Sequence, residues 1–154
     1  MDANGRRTEV TVLVVDDSTA GRFALGKLLR RAGHQVVTAT TGRAALAELD
    51  VRLRAGTLPD VALVDVDLPD MSGFDLCRRI KARPHMAGLP VVHFSAAPLA
   101  PADRCQGLDA GGEAHLAMPA QPGEVDAVVR AAVRAAGPAP GRRRAAGRLS
   151  LLSE

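Results

Sequence analysis

The sequence predicts an α/β protein in which a parallel β-sheet is covered by helices on both faces. Three observations carry that reading. The runs Val12–Val15 and Val61–Val64 are short and wholly apolar, as strands buried on both faces are. Apolar runs of this kind alternate along the chain with segments of helical period, five of each. The two strongest runs end in carboxylates, Asp16-Asp17 and Asp65, at the strand end where open α/β sheets hold their ligands.

Taken in order, residues 1–9 are polar and charged and predict a disordered arm. A strand over Val10 to Val15 follows, with Asp16-Asp17-Ser18 as the loop behind it. Ser18 or Thr19 can cap a helix whose apolar face is Leu25, Leu28, Leu29 and Ala32, stopped by Gly33. Gln35 to Ala39 is a second strand. Thr41 caps a helix with Ala45, Leu46, Leu49 and Leu53 on one side, and Gly56 ends it. The central strand is 61–65. The loop 67–73 is rich in turn formers, and Ser72 can cap a third helix to about Ala82, before Pro84 forbids continuation. Pro90 opens a fourth strand, Val91 to Phe94, ending in Ser95. A short fourth helix starts at or after Pro101, and Gly111-Gly112 breaks it. His115 to Ala117 is a short fifth strand ended by Met118-Pro119. Pro122 suits the first turn of a last helix, striped by Val125, Val128, Val129, Ala132 and Val133.

Composition agrees with one domain over residues 10–136. The chain has 154 residues, 47% of them hydrophobic, and only three Phe with no Trp or Tyr, so the core is aliphatic. No apolar run approaches the ~20 residues that span a bilayer, and Met1 to Glu9 lacks the apolar region of a signal peptide. A cytoplasmic protein without a membrane span is expected. Cys77 and Cys105 fit no metal-ligand spacing and read as reduced thiols. Residues 137–154 hold Arg142, Arg143, Arg144 and Arg148 against Glu154, and this tail accounts for the whole net charge of +3. It reads as a disordered Pro/Gly/Arg-rich extension, and specific nucleic-acid binding is not expected from it.

The chemistry concentrates at the strand ends. If the first and third strands are neighbours, Asp16, Asp17 and Asp65 converge. Such a cluster repels itself unless it binds a cation or its pKa values rise. Oxygen ligands without His or Cys suit Mg²⁺. An aspartate carboxylate is a competent nucleophile towards phosphorus, so the reading is a Mg²⁺ site built around a phosphate-accepting Asp65. Ser95 ends a strand at the same edge, where its hydroxyl can donate to a phosphoryl oxygen. His93 reads as a buried strand histidine with a hydrogen-bond partner.

Val-Val-Asp-Asp-Ser, then Leu-Val-Asp-Val-Asp-Leu-Pro-Asp-Met-Ser-Gly-Phe-Asp-Leu, then His-Phe-Ser-Ala, then Ala-Gly-Gly-Glu-Ala-His-Leu-Ala-Met-Pro, together resemble the receiver domain of bacterial two-component response regulators. The resemblance implies a flavodoxin-like (βα)5 three-layer sandwich with sheet order 2-1-3-4-5. It implies that Asp65 takes a phosphoryl group from a histidine kinase or phosphotransfer protein. Asp17 would ligate Mg²⁺ directly, Asp16 through water, and Asp67 through its main-chain carbonyl. Ser95 would turn inward on phosphorylation, with His115 at the family's aromatic switch position. One position departs from the family: Met118 stands where a lysine is usual, and it offers neither charge nor donor. The Met118-Pro119 bond is expected to be cis, as the family's Lys-Pro bond typically is.

A single-domain response regulator that signals through partner binding is therefore the leading expectation. It is not an enzyme beyond self-catalysed phosphotransfer and dephosphorylation, and a homodimer or an unidentified downstream protein would be its output. Met118 motivates an alternative, a receiver-like interaction domain that works without phosphate. Asp65-Val66-Asp67 also resembles the nucleophile loop of haloacid-dehalogenase-type phosphohydrolases, but that family's late lysine and cap insertion are not visible. A dinucleotide-binding fold lacks its glycine-rich turn.

Overall fold

A computed structural model of the chain describes residues 9–96 and 100–137. The arm and tail read as disordered in the sequence fall almost wholly outside the described residues. Ten elements alternate: β1 (Thr11–Val15), α1 (Thr19–Arg31), β2 (Gln35–Ala39), α2 (Gly42–Ala55), β3 (Val61–Asp65), α3 (Gly73–Lys81), β4 (Val91–Ser95), α4 (Pro101–Asp109), β5 (Ala114–Ala117) and α5 (Pro122–Ala136). All strands pair in parallel, in the order β2-β1-β3-β4-β5. The fold is the expected flavodoxin-like three-layer sandwich. β1 begins one residue later than the sequence suggested: Val10 is buried beside the strand, and its N–H reaches the His34 ring instead.

Strand alternation divides the core into two clusters. Val12 and Val14 of β1 and Val61 and Leu63 of β3 join Leu25, Leu29, Val125 and Val129 of α1 and α5. Leu13, Val15, Ala62 and Val64 face the other way, onto Leu46 and Leu49 of α2 and Leu76 and Ile80 of α3. Burial on both faces explains why β1 carries no alternation of polar and apolar residues. β2, at the sheet edge, is half open and more polar.

The helices stop and start on side chains the sequence supplies. Ser18 Oγ accepts from Gly21 N, Thr41 Oγ1 from Ala44 N and Ser72 Oγ from Asp75 N. Gly56 closes α2 in the left-handed conformation. α4 is different: Ala100 gives it no side-chain cap, and Gly107 is its only buried residue. Among the described residues, no helix is long and apolar enough to cross a membrane.

Candidate functional site

Register brings the carboxylates together. Val15 is level with Val64 on neighbouring strands, so the next residues, Asp16 and Asp65, leave the sheet side by side. Asp16, Asp17 and Asp65 each present a carboxylate oxygen, and these oxygens lie within 4.8 Å of one another. Asp16 is buried, Asp65 half-buried and Asp17 exposed, so the cluster opens to solvent on one side.

Asp16 and Asp65 are each held from the backbone. Asp16 N–H donates to Ala39 O at 3.1 Å, and Asp16 Oδ1 accepts from Ser18 N at 3.0 Å. Arg22 of α1 donates to the Asp16 carbonyl at 2.8 Å, so its charge serves the main chain and not the carboxylate. Gly21 leaves room for that carboxylate, because a Cβ there would meet Asp16 Oδ2 at 2.3 Å. Asp65 Oδ1 accepts from Asp67 N at 3.1 Å. The loop behind Asp65 folds back on itself: Gly73 N donates to Val66 O at 2.7 Å, and Asp67 bridges Ser72. Gly73 is required there, since a Cβ would stand 2.2 Å from Asp65 O.

The electrostatics follow. Burial pushes the Asp65 carboxyl up to about 6, against the bond from Asp67 N–H, and its contacts with Asp16 and Asp67 push in the same direction as burial. Among the described residues, no Lys or Arg pairs with Asp65. A cluster of oxygen donors at close range, one of them reluctant to ionise, fits a small hard cation such as Mg²⁺.

The remaining candidates sit around this edge. Ser95 ends β4 and is buried, with its Oγ 3.3 Å from His115 Nε2 on β5. Burial, and then the Arg104 charge, lower the His115 imidazole below its ordinary range. The Met118-Pro119 peptide is cis. Met118 packs against the apolar cluster shared with α1 and α5.

Two anchoring groups escaped the sequence reading. Asp70, in the loop behind Asp65, accepts from Gly42 N and Arg43 N, both at 2.9 Å, and so seals the start of α2. These two N–H groups hold its carboxyl below the usual range. His34 accepts from Val10 N at 3.2 Å through Nδ1, and its Nε2 donates to Asp126 of α5 at 2.6 Å. Only an exposed acid three residues after Asp67 hinted at the first, and nothing local signalled the second.

Comparison with known proteins gives the same picture from another side. Residues 12–130 match the family described as the response regulator receiver domain. The transcriptional regulatory protein GltR of Pseudomonas aeruginosa is 37% identical over 139 residues, covering 88% of this chain and 52% of GltR. The chain spans about half or less of the length of the curated relatives it matches. A solved structure from Chloroflexus aurantiacus, described as a candidate response regulator, is 31% identical with a TM-score of 0.75, covering 82% of this chain and 98% of that one. The chemotaxis response regulator CheY4 of Vibrio cholerae superposes with a TM-score of 0.72 at 27% identity, covering 80% of this chain and 98% of CheY4.

Proposed function

This chain belongs to the response-regulator receiver family, and from that premise we propose that Asp65 is its phosphoryl acceptor and that Asp16 and Asp17 hold the Mg²⁺ the reaction needs. Receivers take a phosphoryl group on an aspartate and signal through partner binding. The observation that carries the assignment is the convergence of the three carboxylates within 4.8 Å at the ends of β1 and β3.

The donor in this reading is a histidine kinase or phosphotransfer protein. The phosphorus–nitrogen bond of its phosphohistidine breaks, its histidine keeps the electron pair, and a bond forms from phosphorus to an Asp65 carboxylate oxygen. When bound, Mg²⁺ would supply the positive charge that lets a phosphoryl group approach the acids. The chain's own residues do the positioning. Asp67 N–H fixes one Asp65 oxygen, Oδ1, and with it the orientation of the carboxylate that would act as nucleophile. Asp16 is pinned by Ser18 N–H and enters the cluster already aimed. Asp67 would add its main-chain carbonyl to the metal. Ser95 would turn its hydroxyl towards a phosphoryl oxygen, exchanging its contact with His115. Met118 leaves the site without the usual ammonium, so the phosphoryl group is held less strongly than in a typical receiver. Catalysis beyond this transfer and the hydrolysis of the aspartyl phosphate to aspartate and inorganic phosphate is not expected.

Incubation with acetyl phosphate and Mg²⁺, followed by intact mass, tests the assignment. One added phosphoryl group is expected, absent in Asp65→Ala and when Mg²⁺ is chelated. Equal labelling of Asp65→Ala would remove Asp65 from the role.

A further inference from the structure

α4 covers the sheet with little side chain. Its inward residue is Gly107, and beneath it, between α3 and the β4–β5 edge, lies a cavity of about 200 Å³. Phe74 and the His115 ring form part of its wall, and Asp103 and Arg104 also line it.

His93 is the polar group set into this wall. It is 1% exposed. Its Nε2 lies 3.1 Å from the Gly73 carbonyl oxygen, which can only accept, so Nε2 carries the hydrogen and Nδ1 presents a bare lone pair. Burial holds the ring neutral by lowering its pKa. Among the described residues, no hydrogen bond reaches Nδ1. Among the described residues, no buried side-chain nitrogen or oxygen is sealed off without a partner, so Nδ1 keeps a small opening beside it. Nδ1 lies beside the two glycines that line the cavity with His93: a Cβ would stand 2.8 Å from Nδ1 if added to Gly112 and 3.7 Å away if added to Gly107. The Phe74 ring meets the His93 ring edge to face, with centroids 4.9 Å apart. A mainly apolar recess with a few polar groups in its wall is the usual form of a small-molecule site. Dry cavities of about 150 Å³ in other proteins admit a single benzene ring.

We propose that the cavity under α4 binds a small planar molecule, apolar on its faces and carrying one N–H or O–H donor, which lays its ring beside Phe74 and donates to His93 Nδ1. Binding there does not depend on Asp65 or on any metal. The occupant would also touch the His115 ring, which reaches Ser95 Oγ.

Phenol and benzene separate the donor from the ring. Amide NMR of the full chain, without Mg²⁺ or a phosphoryl donor, should show saturable shifts with phenol at Phe74, His93, Gly107, Gly112 and His115. Benzene should bind at least tenfold more weakly. Gly107→Ala adds a Cβ 3.1 Å from Phe74 Cε1, inside the cavity, and should abolish phenol binding while leaving the fold intact. His93→Phe should bind phenol and benzene alike. Absence of saturable shifts, equal affinity of the wild-type chain for the two probes, or undiminished binding in a folded Gly107→Ala variant would overturn the proposal. Should Gly107→Ala fail to fold, the wild-type comparison of the two probes decides.

Discussion

Asp65 holds its proton more tightly in the fold than in the unfolded chain, mainly because the fold buries it. A raised acid stabilises the folded state fully below the ordinary carboxylate range, and that contribution is lost as pH rises through about 6. In Mg²⁺-free buffer at about pH 7.5, Asp65→Asn should therefore be more stable than the wild type by about 1–2 kcal/mol, a share discounted for solvent screening. The gain should fade below about pH 4, where Asp65 is protonated in both states. Urea unfolding at the two pH values checks it, and a pH-independent difference would mean the burial is not costing Asp65 its charge. Met118 invites the opposite experiment. Met118→Lys can extend an ammonium from the half-buried position towards Asp65, and a charge-assisted contact of this kind is worth about 1.5–3 kcal/mol. Phosphorylation by acetyl phosphate, followed by intact mass, should quicken roughly ten- to hundredfold. An unchanged rate would place the 118 side chain out of reach of the acceptor. Asp16 and Asp65 were legible because each directly follows a wholly apolar run, with Asp17 next to Asp16, and strand ends are where such sheets are open. Gly21 was not legible: its role is empty space beside Asp16 Oδ2, and a helix glycine at that spacing signals nothing alone.

At the scale of elements, the sequence offered a capping hydroxyl at three helix starts, Ser18 or Thr19, Thr41 and Ser72, and Ser18, Thr41 and Ser72 do the capping, each on the residue three ahead. Caps supplied from a distance could not be read. Asp70 lies 28 residues from Gly42 in sequence, yet it closes the amide end of α2 and ties that helix to the loop behind Asp65. Asp70→Ala leaves two N–H groups and the positive end of the helix dipole uncompensated, which should cost about 1–2 kcal/mol at neutral pH. Because the fold lowers the Asp70 carboxyl, its contribution is present above the ordinary carboxylate range and is lost as pH falls below that range through the lowered folded value. The urea midpoints of wild type and Asp70→Ala should thus converge on acidification. A gap that persisted in acid would assign the loss to packing. His34 and Asp126 make the same point across the sandwich: a loop before β2 and the helix after β5 meet only when the sheet closes.

For the whole molecule, Asp16 and Asp65 terminate β1 and β3, adjacent strands in the interior of the sheet with an apolar cluster packed on each face. The proposed metal site can form only when those strands are paired, so a cation that binds it would bind the native state and not the unfolded chain. The linkage is then fixed: Mg²⁺ at 100 times its Kd should stabilise the fold by about 2.7 kcal/mol. For a chain of this size that is a rise of roughly 5–10 °C in Tm. The rise should follow a saturation curve and should vanish in Asp16→Asn and in Asp65→Asn, each of which removes one charged ligand from the cluster. A sodium salt of equal ionic strength controls for screening of surface ion pairs such as Arg78–Asp75, which are indifferent to which cation is present. If Mg²⁺ raised Tm equally in the wild type and in both variants, the cation would be acting elsewhere on the surface. The three acids would then be an unmetallated, self-repelling edge, and Asp65 would lack the charge neutralisation that phosphoryl transfer requires.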